Sequence, residues 1–402
     1  MIYLDHAAAT PVSKKALESM LPFFTDTFFN PSAAYLPAKH ARESFESSKT
    51  KIANFIGAKS ADLIITSGAT EANSLAFTSI NPEFGARTKS PKNQESKVSK
   101  TSPLVLVLST EHASVLENAK VYPYDLISVD KNGSIDLEDF KKKLTSSVQL
   151  VSVSLANNEL GTIQPISTIA EIIRDERLRR LKNGDMTPLF LHSDASQGLS
   201  LLDINVARLG VDLLTLNSAK VSGPKGVGAL YVAHHVKLHP LLLGGGQERG
   251  LRSGTENVAL SVGFATALES LKNHTASERK KYTKLVENLK KELDQAKIKP
   301  LYLGNSRNQL SNFLPVSFPG LDAERLVYKL EEREVYVSTG AACAASKGEP
   351  SHVLKAIGLS PEEIAGSLRL SLGVLNNEEN VKTAGKIIRE VVDSEYVRLY
   401  GC

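Results

Sequence analysis

Leu216-Asn217-Ser218-Ala219-Lys220-Val221-Ser222-Gly223-Pro224-Lys225-Gly226-Val227-Gly228-Ala229-Leu230 sets a lysine between two apolar runs, 211–216 and 227–232. Both runs are rich in Val and Leu on both parities, the pattern of strands buried on both faces. A lysine held between such strands is costly when charged, so burial lowers its pKa. A neutral, fixed amine is what a Schiff base with an aldehyde cofactor requires. Alone, the window also fits a surface lysine in a hairpin.

Working outward, further strand candidates lie at 63–66, 104–108, 148–155 and 189–191. A helical pattern separates the first two, and others follow near 113–121 and 165–182. Strand–helix alternation implies a mostly parallel sheet with helices on both sides, an α/β fold. Phe45, Ile52, Phe55 and Ile56 share one helical face, with Gly57 as C-cap. Tyr282, Leu285, Val286, Leu289 and Leu293 form a second stripe, with Lys and Glu opposite. That helix is expected to link the sheet domain to a smaller C-terminal domain. Residues 85–103 are polar, basic and poor in large apolar groups, which predicts a solvated flexible loop.

The chain has 402 residues, 42% hydrophobic and 23% charged, enough for two packed domains. Its net charge of +4 is small and dispersed, so no direct nucleic-acid partner is expected. No apolar run approaches the roughly 20 residues of a membrane span. The start Met1-Ile2-Tyr3-Leu4-Asp5-His6 lacks the charged and apolar regions of an export signal. Two cysteines, Cys343 and Cys402, make no disulfide framework, which favours a reducing, cytoplasmic setting. Cys402 reads as part of a frayed tail.

Several constellations could carry chemistry. Ser67-Gly68-Ala69-Thr70 leaves a strand and opens a helix, which makes either a phosphate site or a plain βα turn. Asp194 follows a short strand, where an α/β crevice binds ligands, though it could instead cap the next helix. Asn157-Asn158-Glu159-Leu160-Gly161 follows another strand in the same way. The Gly-rich stretch 244–255 implies unusual backbone angles or close approach to a ligand or another subunit. Cys343 sits among small residues at 337–348, where an exposed thiol could reach a substrate. Arg369, in an alternating strand, either faces solvent or clamps a carboxylate.

In this order the pieces resemble the NifS/IscS-type cysteine desulfurases of the class V aminotransferases. The resemblance runs from Tyr3-Leu4-Asp5-His6 to about Gly373. It includes Ser67 to Asn73, Glu111-His112, Asn157 to Gly161, Asp194 to Gln197, Lys220 to Gly228, Arg252 to Thr255, the Cys343 segment and Ser351 to Leu354. It implies the pyridoxal-phosphate (PLP) transferase fold type I. That fold has a large domain, residues 15–258, with a mostly parallel seven-stranded sheet between helices. A smaller α+β domain, residues 1–14 and 259–402, would carry the cysteine.

The same resemblance implies that Lys220 holds PLP as a Schiff base, Asp194 pairs with the ring nitrogen and Gln197 bonds the ring's 3-oxygen. His112 would stack on the ring and move protons, although a helix-start histidine reads alike. Thr70, with Ala69 and Asn217, would hold the cofactor, joined by Thr255 from the second subunit of a homodimer. Asn158 and Arg369 would hold the carboxylate of L-cysteine. L-cysteine would displace Lys220, Lys220 or His112 would take the α-proton, and the Cys343 thiolate would attack the substrate sulfur. The products would be L-alanine and a persulfide on Cys343, passed to a sulfur-acceptor protein such as an iron–sulfur scaffold or a tRNA thiolase. The spacing from Cys343 to Lys355 is similar to that of the longer-loop branch, which serves both.

Two departures stand out. Where the family has Ser-x-His-Lys, this chain has Asn217-Ser218-Ala219-Lys220, and Asn30-Pro31-Ser32-Ala33-Ala34-Tyr35 lacks a family histidine. Each lost hydrogen bond to a charged group is worth about 1.5–3 kcal/mol. PLP is therefore expected to bind more loosely than in relatives, unless Ser218, Ser222 or Lys225 compensates. Two alternatives stay open: a selenocysteine lyase-like enzyme within the same fold, and, motivated by the altered phosphate site, a catalytically silent or weak homologue that acts as a binding partner.

Overall fold

The structure is a computed structural model that describes residues 1–80, 103–271, 275–340 and 350–401. Apart from Pro103, the expected loop at 85–103 lies outside them, as do Cys343 and Cys402.

The strands in chain order are β1 (Ile2–Tyr3), β2 (Leu63–Thr66), β3 (Leu104–Leu108), β4 (Tyr124–Ile127), β5 (Val148–Ser152), β6 (Phe190–Asp194), β7 (Leu213–Asn217) and β8 (Gly228–Val232). Then come β9 (Leu301–Tyr302), β10 (Phe313–Ser317), β11 (Val335–Tyr336), β12 (Ser338–Thr339) and β13 (Ser367–Ser371). A seven-stranded sheet has the order β2-β8-β7-β6-β5-β3-β4. Its pairings are parallel except at β8, which runs antiparallel to both β2 and β7. The 148–155 run leaves the ladder at Ser152, and the 189–191 run extends to Asp194. The sequence reading did not mark β4. It is an edge strand whose Tyr124, Asp125 and Leu126 are exposed, so it lacks the double-sided apolar pattern of its neighbours.

Helix Leu36–Phe55 buries Phe45 and Ile52, while Phe55 is only half-buried. Gly57 then takes a left-handed φ of 69°, as a residue just past a helix end should. Apolar clusters cover both faces of the large sheet. A further core joins the four-stranded antiparallel sheet β12-β13-β10-β9 to helices Thr275–Leu293 and Glu378–Tyr400. The Tyr282–Leu293 stripe is buried in that second core, and Phe264 and Leu268 of helix Val258–Leu271 are buried in the first. We therefore propose that the division between domains falls after Leu271, not at 258. The N-terminal strand belongs with the second core, since β1 pairs with β11 and Asp5 bridges to Ser371.

Candidate active site

The turns after β2, β3, β5, β6 and β7 open at one edge of the sheet, the edge where α/β folds bind ligands. Asp194 is the last residue of β6 and is 7% exposed. Its Oδ2 accepts from Asn73 Nδ2 at 2.8 Å and its Oδ1 from the Ser196 amide at 2.8 Å. It caps no α-helix; two donors hold a buried carboxylate aimed at the edge. Asn73 also donates to Ser114 Oγ, and its own Oδ1 has no partner among the described residues.

His112 is both the N-cap of helix Ala113–Ala119 and exposed at the cleft, so the two readings of it coincide. Its Nδ1 accepts from the Ser114 amide at 3.1 Å. A backbone N–H can only donate, so the neutral ring carries its proton on Nε2. Loss of water lowers the His112 pKa; Asp194 opposes this, while Lys220 and His352 add to it.

Lys220 is half-buried in the turn Ser218–Lys220, not enclosed between strands as expected. Its Nζ donates to the carbonyls of Ala7 at 2.8 Å and Ala8 at 2.5 Å. Gln197 Nε2 shares the Ala7 carbonyl at 3.0 Å. The N-terminal segment thus crosses to the sheet edge and fixes both side chains there. Asn217 closes the same turn by accepting from the Ala219 amide at 3.2 Å. Of the three expected compensators, Lys225 is exposed, the Ser222 amide is taken by Thr10 Oγ1, and Ser218 Oγ is buried without a partner among the described residues.

At the turn after β2, helix Ala69–Phe77 begins without a side-chain cap, and Thr70 stands exposed at its start. Its first amides are free to meet an anion. The turn needs glycine on both sides. A Cβ on Gly228 would lie 2.8 Å from the Gly68 backbone, and Gly68 has φ 152°. Ser67 donates its amide to Glu71, and Glu71 pairs with Arg252 at 2.9 Å, which draws the Gly-rich stretch to this turn. Glu248, Arg249 and three glycines of that stretch, Gly246, Gly250 and Gly254, have positive φ, as its composition implied. Thr255 is exposed on it.

Arg369 is 4% exposed, which overturns its solvent-facing reading. The register puts it opposite Pro315 and Ser338 inside a sheet covered on both faces. It donates to Asp5 Oδ1 at 2.7 Å and to the Asn158 carbonyl at 3.0 Å, and its Nε has no partner among the described residues. Lys220, Asp194, His112, Gln197, Thr70, Ala69, Asn217, Asn158 and Arg369 all belong to these turns or to β13 beside them. Cys343 lies outside the described residues.

The sequence reading assigned no role to Asn73, Asp5, Glu111, Glu159 or Ser351. Each lies inside a quoted motif, which was the available signal. Glu111 is wholly buried; its Oε1 accepts from the Ser154 amide and its Oε2 has no partner among the described residues. Burial pushes it up to about 8, against the Ser154 bond and with help from Asp194. Among the described residues, no group of His, Cys, Asp and Glu could hold a metal ion, and no helix is long and apolar enough to cross a membrane.

An amine, a buried carboxylate and an uncapped helix start on one sheet edge fit the donor set that PLP requires. Residues 2–383 match the family described as aminotransferase class-V. A protein named cysteine desulfurase IscS 1, from Archaeoglobus fulgidus, is 38% identical over 98% of this chain and 97% of its own. A solved structure titled NifS-like protein superposes with a TM-score of 0.86 at 31% identity, covering 98% and 99% of the two chains. Another, titled SspA in complex with cysteine, gives 0.75 at 32% identity, covering 92% and 99%.

Proposed function

This chain belongs to the class-V aminotransferase family, and we propose that it is a cysteine desulfurase that takes L-cysteine to L-alanine and leaves the sulfur as a persulfide on Cys343. The observation that carries this reading is that Lys220 and Asp194 lie at the same edge of the sheet, at the ends of neighbouring strands, in a chain whose relatives are named for that activity. PLP would be held by Lys220 through its amine, by Asp194 at the ring nitrogen and by Gln197 at the ring oxygen. Thr70, Ala69 and Asn217 would hold its phosphate. When bound, it supplies a protonated ring that withdraws electrons from the substrate's Cα.

The remaining work falls to side chains. Arg369 and Asn158 bind the substrate carboxylate, with the open Nε of Arg369 as the unspent donor. Neutral His112 presents an Nε2–H, so it donates a hydrogen bond and cannot also be the base. Taking the α-proton therefore falls to Lys220. Cys343 must be a thiolate to attack sulfur. The acceptor would be an iron–sulfur scaffold or a tRNA-thiolating protein, and the setting cytoplasmic. A homodimer would bring Thr255 to the neighbouring site. It is supported by the exposed apolar side chains Leu17, Leu21, Phe24, Phe28 and Leu36, close together in sequence.

The test is L-alanine release from L-cysteine with added PLP and a thiol reductant. Turnover is expected, and it is expected to vanish in Cys343→Ala and in Lys220→Ala. A folded dimer that releases no alanine at saturating PLP would favour the silent-partner reading. Full activity in Cys343→Ala would favour the selenocysteine lyase-like one.

A further inference from the structure

Glu159 is 4% exposed, and its described hydrogen bonds go to none of the groups assigned above to cofactor or substrate. It lies on the turn after β5, next to Asn158, and its amide is fixed by Asn157 Oδ1 at 2.9 Å. Ser351 Oγ donates to its Oε2 at 2.6 Å. The same Ser351 oxygen accepts from the Leu354 amide and so caps helix His352–Ala356. Gly340 faces the same carboxyl, since a Cβ added there would lie 3.2 Å from Oε2. Beneath, Leu160, Val353, Leu354 and Ile357 form a small apolar core of their own. Burial raises the Glu159 pKa to about 7, and Ser351 and Arg369 oppose the rise.

Gly340 and Ser351 flank the stretch of sequence that contains Cys343. One buried carboxyl thus bonds the residue after that stretch and lies near the residue before it, while its neighbour Asn158 accepts from Arg369. Burying a carboxyl is expensive, and a helix cap needs only the serine. The arrangement has a use if thiol and substrate must be registered to each other, because a misplacement of about 1 Å can cost roughly 100-fold in rate.

We propose that Glu159 is a positioning residue for sulfur transfer: it ties Ser351, on one side of the Cys343 stretch, to the turn that carries Asn158, with Gly340 on the other side packed where no larger residue fits without displacing that carboxyl. The proposal rests on the desulfurase reading. Its test separates chemistry at Cα from chemistry at sulfur, using PLP-loaded enzyme. Exchange of the L-alanine α-hydrogen in deuterated water reports the first. Single-turnover persulfide on Cys343, read by mass spectrometry after alkylation, reports the second.

Glu159→Ala and Ser351→Ala are expected to slow persulfide formation by about 10–100-fold, with α-exchange changed less than twofold and the KM for cysteine preserved. Glu159→Gln keeps an acceptor for Ser351 and is expected to recover most of the rate. Gly340→Ala perturbs the same carboxyl without removing it, and should show the same split even where Glu159→Ala folds poorly. An unchanged persulfide rate in all these variants overturns the proposal. So does a parallel loss of exchange and persulfide formation, which would mean a merely structural role. If the wild type forms no persulfide on Cys343, the desulfurase reading itself fails.

Discussion

Glu111 shows how burial sets the chemistry of a single residue. Its folded pKa, about 8, lies above the usual 4.5 because the carboxyl is enclosed beside Asp194. The folded protein therefore keeps a proton that the unfolded chain gives up between those values. Stability is fully present below about pH 4.5 and falls as pH rises towards 8. Glu111→Gln removes this slope. Calorimetry should show a variant gaining on the order of 2 kcal/mol at pH 8, roughly 2–3 °C in Tm for a chain of this length, and nearly matching wild type at pH 5. An equal Tm difference at both pH values would rule out Glu111 as the titrating group. His192 makes the opposite case: burial lowers it to about 4, and its two nitrogens bond Ser152 and Thr215, so it stays neutral in the core.

Among the elements, the Gly-rich stretch is the one most held against its own preference. Glu248 and Arg249 have φ of 47° and 61°, which side-chain-bearing residues rarely adopt. A buried ion pair secures them: Lys49 of helix Leu36–Phe55 meets Glu248 Oε2 at 3.0 Å, and the Ile65 amide of β2 donates to the same oxygen. Lys49→Met would leave the Glu248 charge buried and unpaired, a loss of about 3–5 kcal/mol. Chemical denaturation of Lys49→Met and of the double variant with Glu248→Gln tests this. The double variant is expected to recover much of the loss, and if it fell as far as the single variant the explanation would be wrong. β4 shows a second device. Its Leu126 amide is taken by Asp125 and its Leu126 carbonyl by Lys143, which shields an open sheet edge.

At the scale of the whole molecule, the proposed homodimer decides whether Thr255 can serve a second site. Phe28→Asp with Leu36→Asp is expected to convert a sedimenting dimer to monomer and lower turnover at least tenfold. A wild type that sediments as a monomer at working concentration would remove Thr255 from the site. Alternating apolar runs, glycine turns and motif order were enough to read the α/β class, the sheet with its Lys220 turn, the Asp194 position and the family resemblance. These are local signals, because strand burial and turn geometry are written in adjacent residues. Other features needed the folded chain: Ala7 and Ala8 meeting Lys220, Asn73 meeting Asp194, Asp5 meeting Arg369 and Glu159 meeting Ser351. So did the burial of Arg369 and the edge strand β4. Each of those pairings joins residues far apart in the chain, and no periodicity or spacing records which distant carboxylate or carbonyl will satisfy a given donor. That choice is made by the packing of the N-terminal segment and the second core against the sheet edge.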